Sequence, residues 1–158
     1  AYKTPHSLGA DRLAAVVGGI HLCGETSNLL VIQLGTCFTY DFVTGITYNG
    51  GGISPGPILR FRALKDYTAK LPLVEMDQSF AQLVGSSTED SIKSGVINGC
   101  IAELEGIIDR YVDSYPDLKV ILTGGWTNYF DSKINRTKFA FQDLVLVGLN
   151  KILIHNNV

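Results

Sequence analysis

The sequence predicts an α/β domain in which an antiparallel three-strand meander is followed by alternating helices and strand, with the helices packed on the sheet. Three observations lead there. Extended segments at 29–34, 38–43 and 46–49 follow one another, separated by Gly35-Thr36-Cys37 and Thr44-Gly45, which is meander spacing. Residues 88–115 then repeat apolar positions at three- and four-residue steps, the period of a helix. Finally Val120-Ile121-Leu122 is a short, wholly apolar run, as expected of a central strand parallel to a neighbour.

In chain order, the first element is a helix over 9–21, with Leu13, Val16, Val17 and Ile20 on its apolar stripe, Ser7 as N-cap and Pro5 before it. The three strands follow, with Gly45 and the run Gly50-Gly51-Gly52 read as their turns. A helix over 57–69 carries Ile58, Phe61 and Leu64 inward and stops before Pro72. Residues 77–84 form a short helix or an irregular link. The long helix over 88–115 buries Ile92, Val96, Cys100, Leu104, Ile107, Ile108 and Tyr111. Ser87 and Asp90 approximate a capping box at its start, and Pro116 ends it. A strand over 119–122, a polar stretch over 126–141 with a short helix, and a closing helix over 143–154 complete the chain.

Composition excludes several classes. A chain of 158 residues, 46% of them hydrophobic, is one domain with enough apolar material for a core. A net charge of −2 argues against a broad nucleic-acid footprint. No apolar run approaches the roughly 20 residues that span a bilayer. Cys23, Cys37 and Cys100 are odd in number and widely spaced, which suits a reducing cytoplasm better than a disulfide framework or a zinc site. His6, His21 and His155 have no second ligand at helical or turn spacing.

The chemistry-bearing segments form an ordered series. Tyr2 precedes Gly9-Ala10-Asp11-Arg12 by seven positions. Gln33-Leu34-Gly35-Thr36-Cys37 follows, then Gly51-Gly52-Ile53-Ser54-Pro55-Gly56, Leu71-Pro72, Ser87-Thr88 and Thr123-Gly124-Gly125. Together with Arg60-Phe61-Arg62-Ala63-Leu64 and Val147-Gly148-Leu149, this series resembles the type III pantothenate kinases of coenzyme A biosynthesis, from residue 2 to residue 149. The resemblance implies a ribonuclease-H-like (actin-like ATPase) fold. It also implies that residues 1–158 are one domain, the C-terminal half of such a kinase, without the family's N-terminal phosphate-loop domain. The isolated chain is then expected to be inactive.

Read as residues, Asp11 lies in the first turn of a helix, where the dipole favours it. A carboxylate there can also orient an alcohol and take its proton. Arg12 can fork onto a carboxylate, either a ligand's or one in the chain. Glycine at 35 allows backbone N–H groups to approach an anion, with the Thr36 hydroxyl beside them; an ordinary hairpin reads equally well. Thr88 is a helix-start residue that either caps or meets an anion. Gly124 and Gly125 follow a strand at the end where α/β sheets bind ligands. Asp41 reads either as an inward carboxylate orienting a hydrated metal ion or as a solvated one.

The resemblance assigns these positions. It makes Asp11 the catalytic base, gives pantothenate to Tyr2, Gly9, Ala10, Asp11, Arg12 and Thr88 at a homodimer interface, and gives ATP to Gly35, Thr36, Gly124 and Gly125. ATP, Mg²⁺ and a monovalent cation, K⁺ or NH₄⁺, are the implied cofactors. The family's cation ligand is an Asp, and Gln33 stands in its place. A neutral amide there weakens the potassium requirement, leaves the cation to carbonyls, or reduces activity. The expected activity is transfer of the ATP γ-phosphoryl group to pantothenate in the cytoplasm, with no nucleic acid or membrane involved. The competing expectation is a non-catalytic regulatory or binding protein that keeps the kinase fold.

Overall fold

The protein, described by a computed structural model over residues 2–136 and 138–157, is built on a five-stranded sheet. Its strands are β1 (Asn28–Leu34), β2 (Cys37–Thr44), β3 (Thr47–Pro55), β4 (Lys119–Thr123) and β5 (Phe139–Ala140). Their order in space is β3-β2-β1-β4-β5. β1, β2 and β3 pair antiparallel; β4 pairs parallel with β1, and β5 parallel with β4. This is the ribonuclease-H-like arrangement that the resemblance implied. The helices are α1 (Ala10–Cys23), α2 (Pro57–Asp66), α3 (Thr88–Ser114), α4 (Thr127–Asp131) and α5 (Leu144–His155).

Alternation along the strands divides the core. Leu30, Ile32, Leu34, Phe38, Tyr40 and Phe42 pack with Ile92, Val96, Cys100 and Leu104 of α3 on one face. Leu29, Val31, Val43 and Ile121 pack with Ala15 and Val16 of α1 and Leu144 of α5 on the other. Because side chains alternate, Thr39 and Asp41 of β2 fall on the α1–α5 face. Their register partners Gln33 and Val31 share it.

Three expectations need correction. The stripe on α1 is only partly the one drawn from its large residues: Val16 is buried and Ile20 packs on the core, but Leu13 is exposed, and Ala14, Ala15, Gly18 and Gly19 are buried in addition. The small residues let α1 cross α5 at close range, with Gly18 against the Leu144 carbonyl and Gly148 against the Ala14 carbonyl. Ser7 does not cap this helix. Gly9 is the N-cap residue, and the Ser7 hydroxyl donates to the Thr4 carbonyl at 2.9 Å within a short 3-10 turn.

Nor do the three glycines at 50–52 make a turn. β3 runs through them to Pro55, and the hairpin turn is Gly45-Ile46. The register shifts between Phe42 and Val43, where Tyr48 and Gly50 are the partners and Asn49 is the extra residue. Gly50, beside the bulge, has a positive φ of 104°, a conformation that glycine adopts without strain.

Other boundaries move little. α2 ends at Asp66, and the Thr68 hydroxyl donates to the Leu64 carbonyl just beyond. Residues 77–84 form an irregular link with turns and no helix. Ser87 caps α3, its hydroxyl accepting from the Asp90 N–H at 3.1 Å. Ile107 and Tyr111 sit at the edge of the core, partly buried.

Candidate active site

Gly9 starts the site. With no side-chain cap at this helix start, the Asp11 carboxylate bends back over Gly9, and a Cβ there would lie 2.6 Å from Asp11 Oδ1. Asp11 is exposed at the N-terminus of α1, where the helix dipole favours its negative charge.

Arg12, one residue on, turns the opposite way and is buried. It pairs with Asp41, 29 positions later: Nη2 donates to Oδ1 at 2.6 Å, and Nε to Oδ1 at 3.0 Å and Oδ2 at 3.3 Å. The two side chains are 8% and 0% exposed. Tyr48 of β3 closes the cluster, accepting from Arg12 Nη2 at 2.9 Å and donating to Asp41 Oδ1 at 2.7 Å. The Thr39 hydroxyl donates to Asp41 Oδ2 at 3.1 Å. Tyr2 stacks on Tyr48 with ring centroids 5.2 Å apart.

Asp41 is therefore neither of the carboxylates expected from sequence. It is inward but not open to a hydrated metal, because its oxygens are taken up by a guanidinium and two hydroxyls. Desolvation works against the Arg12 charge, yet the Asp41 hydrogen bonds and charge outweigh it, and the Arg12 pKa is raised. Burial, followed by its hydrogen bond to Asp41, pushes the Tyr48 phenol up.

Gln33 Nε2 lies 3.5 Å from Thr39 Oγ1, at the far end of the same polar chain. It leaves one amide oxygen as an acceptor. That single neutral oxygen, with Asp41 already matched by Arg12, does not fit a carboxylate-ligated cation site. Among the described residues, no three His, Cys, Asp or Glu side chains gather as a metal-binding group.

The glycine turns meet at one end of the sheet. Trp126 N–H donates to the Leu34 carbonyl at 3.0 Å. Gly124 has φ 97°, and a Cβ there would lie 2.8 Å from the same Leu34 oxygen. Gly56 packs against the carbonyls of Gly35 and Thr36, and its N–H donates to Thr36 O at 3.0 Å. Gly35, Thr36, Gly124 and Gly125 thus lie together at the C-terminal ends of β1 and β4, with Thr36 and Gly125 exposed.

Thr88 is elsewhere. It starts α3, on the sheet face opposite α1, and lines an open groove of about 850 Å³ between α2 and α3 with Arg60, Leu64, Leu71, Ile92 and Val96. Below this groove lies a network that sequence reasoning missed. Glu103 of α3 accepts from Tyr40 Oη at 2.6 Å, from Ser54 Oγ and from Arg60 Nη2. Arg60 Nε also donates to the Pro55 carbonyl at 2.8 Å. Burial opposes the Glu103 charge, but these donors more than compensate and hold its pKa below the usual carboxylate range. A signal was present in the sequence. Glu103 falls on the stripe Val96, Cys100, Glu103, Ile107, and a charge on an apolar stripe needs partners.

Residues 1–110 match the family model described as type III pantothenate kinase. The chain is 45% identical over 156 residues to a type III pantothenate kinase of Cytophaga hutchinsonii, covering 98% of this chain and 66% of that protein. It is 47% identical over 157 residues to one of Phocaeicola vulgatus, covering 99% and 64%. The chain thus spans about two thirds of the length of the curated relatives it matches. Its fold is also similar to a solved structure, a conserved putative Baf family transcriptional activator from Campylobacter jejuni. That likeness has a TM-score of 0.63 at 22% identity and covers 97% of this chain and 67% of that one.

Proposed function

Because the chain belongs to the type III pantothenate kinase family, we propose that it supplies the base and substrate side of a kinase that phosphorylates pantothenate with ATP, in the cytoplasm. The observation that carries this reading is the division of labour at α1. Asp11 stands exposed while Arg12 beside it is locked by Asp41.

In this reading Asp11 orients the primary hydroxyl of pantothenate and accepts its proton as the oxygen attacks the γ-phosphorus of ATP; ADP departs. Gly9 leaves room for that carboxylate, and Ala10 lies beside it. Arg12, charged at any working pH, faces the substrate carboxylate with Nη1, which makes no side-chain hydrogen bond among the described residues. Tyr2 lies on the Tyr48 side of Arg12. The backbone at Gly35, Gly124 and Gly125 and the Thr36 hydroxyl receive ATP. Mg²⁺ bound to the ATP phosphates would neutralise their charge, and because phosphate and water supply most of its ligands it would need no dedicated cage of side chains here. The monovalent cation implied for position 33 is not part of this reading, since Gln33 does not offer the donors for it.

Thr88 bears on assembly. Thr88 and Asp11 start helices that pack on opposite faces of the sheet, which suits presentation of the two to one substrate molecule by different copies. We propose a homodimer in which Thr88 of a second copy completes the pantothenate site. No observation favours the regulatory alternative, and no described helix is long and apolar enough to cross a membrane.

The test is product analysis. The complete protein, given pantothenate and γ-labelled ATP, is expected to move label onto the primary hydroxyl of pantothenate. Label released only as inorganic phosphate would overturn the reading.

A further inference from the structure

The two residues that the kinase reading sends to the carboxylate end of pantothenate, Arg12 and Tyr2, are not held by their own elements. Arg12 has a long, flexible stem, and fixing such a side chain costs rotamer entropy unless something organises it in advance. Asp41 does so from β2. Nε and Nη2 of Arg12 both reach it, a forked geometry that sets the guanidinium plane as well as its position. Thr39 holds the second carboxylate oxygen. Tyr48 then joins the pair from β3: its hydroxyl bridges Arg12 Nη2 and Asp41 Oδ1, and its ring carries Tyr2. Tyr2 also lies over Gly50, whose Cβ, if it had one, would be 3.4 Å from the Tyr2 ring. The strand bulge at Gly50 therefore leaves open the surface on which Tyr2 rests.

We propose that Asp41 and Tyr48 form a positioning pair that presets Arg12 and Tyr2 for the carboxylate of the substrate, without touching the substrate themselves. The inference rests on the kinase reading for the identity of the ligand. The preset geometry of Arg12 does not depend on it, so the two can be tested apart.

Tyr48→Phe in the complete protein is the decisive variant, because it removes one hydroxyl and strands no buried charge. Three quantities are read: melting temperature, the NMR signal and solvent exchange of the Arg12 Nε–H (identified by its loss in Arg12→Lys), and steady-state kinetics for each substrate. With melting close to the parent, the Arg12 Nε–H is expected to exchange faster. The pantothenate KM should rise about tenfold, the scale of one lost hydrogen bond to a charged group, while the ATP KM and kcat stay put. Asp41→Asn keeps an oxygen acceptor for Arg12 but loses the charge. It serves as the second variant should Tyr48→Phe fail to fold, and it must raise the same KM.

An unchanged pantothenate KM, or an equal change in both KM values, would overturn the pair's role. If the parent does not turn over pantothenate, the kinase reading fails by itself. The Arg12 Nε–H then decides the rest: faster exchange in Tyr48→Phe supports the positioning pair, and unaltered exchange sinks it.

Discussion

Replacing Arg12 by Met should expose how the buried pair is balanced. Asp41 is 0% exposed, and Met removes the guanidinium without adding a polar group. Breaking a buried pair from one side costs about 3–5 kcal/mol. Thr39 and Tyr48 still donate to Asp41, which places the loss at the lower end, about 3 kcal/mol.

Urea unfolding of parent and variant at pH 7 measures the loss, with the midpoint and slope fitted separately. A deficit below about 1 kcal/mol would refute the reading of Asp41 as a buried charge held by Arg12.

Two further outcomes follow from packing. Gly148→Ala would set a methyl inside the Ala14 carbonyl oxygen at the α1–α5 crossing; unfolding should show a loss of about 1–3 kcal/mol, as for overpacking. Thr127 carries a buried hydroxyl with no hydrogen-bond partner among the described residues, so Thr127→Val should be neutral or raise stability by about 1 kcal/mol in the same assay.

Much of this architecture was legible because large apolar residues report their own periodicity. Ile92, Val96, Cys100, Leu104 and Ile108 placed α3 and its buried face, and Ser87 placed its start. The strands β1 and β4 were legible as near-continuous apolar runs, and β2 as an extended segment bounded by turn signals. The failures have physical causes. On α1 the expected Val16 is buried, but it is joined by Ala14, Ala15, Gly18 and Gly19, residues that permit close approach rather than announce burial. In β3 the glycines at 50–52 carry turn composition, but a bulge and a tight strand contact use the same freedom. The site divided in the same way. Asp11, Arg12 and the glycine turns belong to local motifs and could be read in order. That Arg12 answers to Asp41 and Tyr48 is a tertiary fact, set by strand register and by which face each residue takes, and no local pattern states it.

Asp11→Asn is the direct test of Asp11 as the proton acceptor in phosphoryl transfer to pantothenate. The variant keeps the size of the side chain and its capacity to hydrogen-bond, and Asp11 is exposed, so melting and oligomeric state should match the parent. The account predicts that pantothenate turnover by the complete protein falls by about 10² to 10⁴ at saturating substrates, the usual cost of losing a general base. Turnover equal to the parent's, in a variant folded like the parent, would contradict it.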